Sequence, residues 1–158
     1  SILPEPDVLL TTTPKVTGLD GRKMSKSYGN TIGLREDPDA VAAKLKTMQT
    51  DPARVRRTDP GDPDKCPVWD LHKIYSGADV QAWVQQGCRS ASIGCLECKK
   101  PLIERVVEEV TTMRQRAQEY EDNPDLVRGI ISEGCEKARE VAGQTLDDVK
   151  QAIGLAYR

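Results

Sequence analysis

The sequence predicts a mainly α protein, a helical bundle preceded by a short stretch of loop and extended chain. Three observations predict it. Apolar residues recur at helical spacing from about residue 38 onward, helix-start signals punctuate that region, and the first thirty-five residues hold so many glycines and prolines that a helix there is excluded.

In residues 1–35, Pro4, Pro6 and Pro14 alternate with Gly18, Gly21, Gly29 and Gly33. Val8-Leu9-Leu10 reads as the end of a strand. Leu19-Asp20-Gly21-Arg22 contains the Asp-Gly pair that favours tight hairpin turns, so short extended pieces and exposed loop are expected. The character changes at Asp37-Pro38, where an N-cap acid and a first-turn proline precede Val41, Leu45 and Met48 on one helix face. Residues 51–64 hold Pro52, Pro60 and Pro63, too many for a helix, together with Arg54, Arg56 and Arg57. This is a basic connecting loop.

Pro67 opens a short helix carrying Val68, Trp69, Leu71 and Tyr75. Asp79 is expected to cap the next, with Val80, Trp83 and Val84 on its apolar face and Gly87 as its stop. A longer helix is expected from Pro101, with Leu102, Val106, Val110, Met113, Ala117 and Tyr120 as its stripe. Asn123-Pro124 should begin another with Val127, Ile130, Ile131, Cys135, Ala138 and Val141 inward, ending at Gly143. Thr145 and Asp148 then resemble a capping pair for a last helix bearing Val149 and Ile153.

Composition narrows the function. The 158 residues suffice for one core of ordinary size or for one domain plus part of another. With 25 acidic against 23 basic side chains the net charge is −2, which excludes a globally basic nucleic-acid clamp, so any RNA contact is local. No run of 18 apolar residues and no charged-then-apolar leader occur, which predicts a cytoplasmic protein without a membrane partner. A chain that opens at Ser1 directly before an apolar strand-like stretch reads as part of a longer protein.

Two constellations carry chemistry. Gly21-Arg22-Lys23-Met24-Ser25-Lys26-Ser27 places three cations in seven residues without an acid, flanked by glycines that let the backbone move. Lysine ammonium groups on flexible stems follow a polyphosphate as its charge develops, and serine hydroxyls add donors. The Gly-x-x-x-x-Gly-Lys order of a P-loop is absent. The second constellation is Cys66, Cys88, Cys95 and Cys98, with 21, six and two intervening residues. Three cysteines within eleven residues read as a metal site rather than as buried thiols, and four thiolates suit structural zinc or a [4Fe-4S] cluster equally. Gly87 and Gly94 are expected to loosen the backbone around the middle ligands. Helix starts near Cys66 and Cys98 are expected to lower their thiol pKa.

Lys23-Met24-Ser25-Lys26-Ser27 matches the KMSKS signature of class I aminoacyl-tRNA synthetases, and the wider run from Gly18 to Ile32 resembles the tryptophanyl members. Thr50-Asp51-Pro52, Asp59-Pro60-Gly61-Asp62-Pro63 and Gly134-Cys135-Glu136-Lys137-Ala138-Arg139 extend that resemblance along nearly the whole chain. The resemblance implies that residues 1–35 end a catalytic α/β nucleotide-binding domain and that residues 36–158 form a helical domain binding the tRNA anticodon. It implies ATP with Mg2+, tryptophan and tRNA(Trp) as ligands of the full enzyme, and a homodimeric parent. Lys26 is assigned to the developing pyrophosphate charge, with Lys23 and Ser25 as further catalytic contacts and Met24 and Ser27 completing the phosphate-binding run, although Met24 suits packing better. The tyrosyl sister family is the alternative, as is a free-standing tRNA- or metal-binding module. The cysteine spacing resembles that of bacterial tryptophanyl members with a [4Fe-4S] cluster, which favours iron-sulfur over zinc and gives the centre a structural or recognition role. Arg89, Lys99 and Lys100 flank it and are candidate tRNA contacts, with Arg54, Arg56 and Arg57 second.

The family's HIGH signature is missing. The single histidine, His72, lies in Leu71-His72-Lys73-Ile74, and is read as capping, packing or facing solvent, with no catalytic role. The chain alone is therefore expected to be inactive.

Overall fold

The computed structural model describes residues 2–155. It is mainly helical: α1 spans Pro38–Thr47, α2 Pro67–Tyr75, α3 Ala78–Arg89, α4 Cys95–Asp122 and α5 Pro124–Ala152, with single 3-10 turns at Lys26–Tyr28 and Pro63–Lys65. Among the described residues the only pairing of extended chain is one antiparallel bridge, Thr17 with Lys23. Two compact units emerge, Leu10–Ala117 and a second made of the residues up to Leu9 with those from Gln118 onward.

The helix starts follow local chemistry. Asp37 accepts from the N–H groups of Asp39 and Ala40 at 3.0 and 3.3 Å, satisfying two orphan donors of α1 ahead of a proline that has none to lose. Asn123 does the same for α5 through Leu126 N–H at 3.1 Å. Val41, Leu45 and Met48 of α1, Val68 and Leu71 of α2, and Leu102, Val106 and Val110 of α4 form the buried core of the larger unit.

Five expectations need correction. Val8, Leu9 and Leu10 pair with no strand and are 74, 97 and 70% exposed. Helix α3 begins at Ala78 behind Gly77, leaving Asp79 inside its first turn, and runs through Gly87 to Arg89, after which Ala91 takes the left-handed conformation at φ 56°. Trp83 on that helix is 43% exposed. Helix α4 starts at Cys95, not Pro101, because the Glu97 carboxylate reaches back to the Gly94 N–H at 2.6 Å and caps the earlier turn. Pro101 is carried inside the helix at the loss of one backbone bond.

The last correction concerns α5, which is a single helix through Gly143 to Ala152, so the break and the second cap at Thr145 and Asp148 do not occur. The left-handed glycine that stops it is Gly154, at φ 77°. No residue of α5 is buried, and Ile130, Ile131 and Val141 are 50, 59 and 68% exposed, with Cys135 exposed as well. Apolar periodicity marked a helix correctly but not a covered face.

Candidate functional site

The lysine loop is held by its base rather than by its tip. Leu19-Asp20-Gly21 closes a three-residue hairpin: Gly21 N–H donates to Gly18 carbonyl at 3.0 Å, Gly18 N–H donates to Arg22 carbonyl at 2.7 Å, and Gly21 sits at φ 81°. Asn30, almost fully buried, ties the two ends together. Its amide nitrogen donates to Asp20 Oδ1 at 2.7 Å and Lys23 carbonyl at 3.2 Å, and its Oδ1 accepts from Ser25 N–H at 2.8 Å. Gly18 must lack a side chain, since a Cβ there would lie 2.3 Å from the Asn30 amide.

Asp20 also binds Arg22 at 2.6 Å, and the Arg22 guanidinium lies 4.2 Å above the Tyr28 ring. The Asn30 amide first, then Arg22, hold the Asp20 carboxyl at about 2, well below the usual carboxylate range. Because the folded pKa is depressed, the loop's closure is fully supported above about pH 4 and is lost as pH falls toward 2. An acid titration followed by amide exchange at Ser25 should show that order, and Asn30→Ala should move loss of closure to higher pH.

From this frame Lys23, Lys26 and Ser27 project into solvent, while Ser25 is half-buried with its hydroxyl 3.1 Å from that of Ser27. Met24 departs from the phosphate-binding run. Its side chain lines an apolar cavity of about 210 Å3 with Val16, Ile32, Val106 and Met113, where a thioether packs and a phosphate would be excluded.

The four cysteines come from the N-cap of α2 (Cys66), the last turn of α3 (Cys88) and the first turn of α4 (Cys95, Cys98), and all four are half-buried. Cys98 feels the charge of the other three, and Cys88 that of Cys66 and Cys95. The fold thus gathers them into one neighbourhood. Among the described residues, no three His, Cys, Asp or Glu side chains converge tightly enough to hold a single metal ion.

The expected lowering of the Cys98 pKa does not occur: burial and the neighbouring thiols push it up to about 12, and burial raises Cys88 too. A helix N-terminus is a weaker influence than the loss of water. A bound cationic centre reverses that balance, and the donor set and its surroundings fit one. Arg54, expected on a basic loop surface, is buried, donates to Arg57 and Ile93 carbonyls at 2.9 and 2.6 Å, and directs Nη1 to Cys88 Sγ at 3.8 Å. Its Nε is buried without a partner among the described residues. Gly61 supplies room, since a Cβ there would stand 2.6 Å from Cys88 Sγ and 3.1 Å from Arg54 Cδ.

Gly87 and Gly94 do not loosen this region. They are packing positions, with a Cβ at Gly87 meeting Ile93 at 2.8 Å and one at Gly94 meeting Glu97 at 3.1 Å.

Lys99, expected to face RNA, is instead 4% exposed, and its ammonium donates to Lys46 and Met48 carbonyls at 2.8 and 2.6 Å. It caps the C-terminal end of α1, where unsatisfied carbonyls and the helix dipole favour a cation. Lys99→Met keeps the apolar stem and leaves those carbonyls without the charged donor, so it should destabilise the protein by about 2 kcal/mol. Urea unfolding checks this, with a lowered midpoint at unchanged slope. A direct RNA contact would leave the midpoint where it was. Lys100 is exposed, and Arg89 faces solvent with its guanidinium 2.9 Å from Asp64 and 3.7 Å from Asp62. Arg56 and Arg57 are also exposed and line a cavity of about 450 Å3 beside Cys95.

His72 is the residue that sequence reasoning passed over. It is fully buried, with Nδ1 2.7 Å from Ser76 Oγ and Nε2 3.5 Å from Cys98 Sγ.

Known proteins place this geometry. A tryptophan–tRNA ligase of Ralstonia nicotianae is 60% identical over 99% of the chain and 39% of its own length. One from Thermotoga maritima is 42% identical over 99% of the chain and 48% of its own length. The chain thus spans less than half the length of these relatives. A crystal structure of tryptophanyl-tRNA synthetase from Campylobacter jejuni, complexed with ADP and tryptophan, superposes with a TM-score of 0.72 at 28% identity, covering 89% of this chain and 44% of that one. The pattern of the family described as tRNA synthetases class I (W and Y) matches residues 2–111. With that pattern matched over most of its length, the chain belongs to the class I tRNA synthetases of the W and Y family.

Proposed function

We propose that the whole protein carrying this chain is a tryptophan–tRNA ligase, which activates tryptophan with ATP and Mg2+ and transfers it to tRNA(Trp). Residues 1–35 end its catalytic domain with the KMSKS loop, and residues 36–158 form its anticodon-binding domain. The observation that carries the reading is the presentation of Lys23 and Lys26 to solvent from the closed frame of Asp20 and Asn30. Such a frame lets two mobile cations meet a triphosphate without reorganising the backbone beneath them, which is positioning plus charge stabilisation. Lys26 meets the departing pyrophosphate, with Lys23, Ser25 and Ser27 as further donors. The relatives bearing this sequence are named for tryptophan, which gives the tyrosyl alternative no support.

Arg89 and Lys100, with Arg56 and Arg57, are the exposed cations available to tRNA phosphates around the cysteine neighbourhood. Cys66, Cys88, Cys95 and Cys98 hold a [4Fe-4S] cluster in this reading. A cluster offers each thiolate its own metal atom and so accepts wider spacing than one zinc ion. Such a centre, when bound, supplies a cross-link between α2, α3 and α4. Arg54 and Lys99 place compensating positive charge beside the four sulfurs. The parent enzyme is a homodimer.

The test is ATP–pyrophosphate exchange by the whole protein. Exchange that depends on tryptophan is expected, and exchange that depends on tyrosine, or none, overturns the reading. Anaerobic purification with metal analysis decides the centre: about four irons per chain supports the cluster, whereas one zinc refutes it and leaves the ligase reading standing.

A further inference from the structure

His72 occupies a position where an apolar side chain would pack without needing partners. It lies wholly inside, beside Trp69 at a ring separation of 6.3 Å. Both of its ring nitrogens nevertheless have partners, Ser76 on one side and Cys98 on the other. Ser76 is itself fixed. Its N–H donates to His72 carbonyl at 2.9 Å as α2 ends, and its carbonyl accepts from Gln81 Nε2 at 2.7 Å. Its backbone is thus hydrogen-bonded on both sides, and its hydroxyl lies against Nδ1.

A thiolate bound to metal can only accept, and a neutral imidazole has one proton to give. If Cys98 is a ligand, the proton must stand on Nε2, and Nδ1 must accept from Ser76. We propose that His72 is a positioning residue that donates an Nε2–H···Sγ hydrogen bond to Cys98 in the loaded centre and raises that centre's reduction potential. A donor to ligand sulfur stabilises the more negative, reduced state; the accept-only sulfur fixes which nitrogen donates, and the Ser76 hydroxyl turns to donate to the other. This rests on the cluster reading above. It adds one buried donor pair, drawn from α2 and the turn after it, to sulfur carried on α4.

The experiment uses the whole protein, purified anaerobically, with His72→Leu, His72→Gln and Ser76→Ala. Midpoint potentials come from reductive titration followed by electron paramagnetic resonance, with iron counted in parallel. His72→Leu should keep its iron and titrate at a lower potential. Ser76→Ala should shift the same way by less, and His72→Gln, which retains an amide N–H, should fall between wild type and His72→Leu. Unchanged potentials in His72→Leu and Ser76→Ala overturn the proposal. If His72→Leu does not load, Ser76→Ala and His72→Gln decide it on the same scale. Should the wild-type protein hold zinc instead of iron, the cluster reading fails by itself, and 15N spectra of the zinc-loaded protein still read the ring. A proton on Nε2 upholds the hydrogen bond, and a proton on Nδ1 overturns it.

Discussion

Replacing Lys26 with alanine in the whole protein should lower tryptophan-dependent pyrophosphate exchange by about 100- to 1000-fold, the usual effect of deleting one preorganised donor to developing transition-state charge. The side chain is exposed and contributes to none of the bonds that close the loop's base, which run through Asp20, Asn30 and the backbone of Lys23 and Ser25. The loss should therefore fall on turnover, with the thermal midpoint unmoved and tryptophan binding retained. Steady-state and single-turnover exchange separate these quantities. A drop in KM affinity alone, with turnover intact, would assign Lys26 to ground-state binding.

The second large effect is expected at a residue with no side chain. Gly61→Ala places a methyl 2.6 Å from Cys88 Sγ and 3.1 Å from Arg54 Cδ. Cys88 has only one torsion with which to retreat, and any retreat removes its sulfur from the other three. Gly61 N–H also donates to Cys88 carbonyl at 3.0 Å, so the loop cannot back away without giving up a bond. The variant should remain helical by circular dichroism and, on the cluster reading proposed above, hold far less iron than the unaltered protein, counted after anaerobic purification. Full metal content in Gly61→Ala would show that Cys88 is dispensable as a ligand. Gly87→Ala, which would press on Ile93 instead, is the control for general overpacking.

How much of this was legible beforehand divides along a physical line. The start of α1 at Asp37-Pro38, its stripe of Val41, Leu45 and Met48, and the start of α5 at Asn123-Pro124 are encoded within a few residues, and local reading finds them. The same locality misled at Gly87, Gly143 and Pro101. Each was read as punctuation, yet a glycine in a helix costs only about 1 kcal/mol and yields to good neighbours, and a proline near a helix start forfeits one bond. Cysteine spacing drew attention to the four thiols because Cys95 and Cys98 stand one helical turn apart, and the fold brings Cys66 and Cys88 into their neighbourhood. The roles of Lys99, Arg54 and His72 were not legible. Lys99 meets carbonyls some fifty positions earlier, His72 meets a sulfur 26 positions later, and Arg54 meets one 34 positions later. No window of periodicity contains both partners, so a charge is read as surface until the tertiary partner is seen.

Lys99 follows Cys98 directly and grips the carbonyls of Lys46 and Met48 at the end of α1, and the residue after Met48, Gln49, donates its N–H to Leu19 carbonyl at 3.0 Å in the hairpin that bases the lysine loop. Three links thus join the neighbourhood of Cys98 to the base of the lysine loop: one ammonium, one helix end and one amide. Substitution at Cys98 is therefore expected to reach the hairpin through that path, read as faster amide exchange at Gln49 than in the unaltered protein.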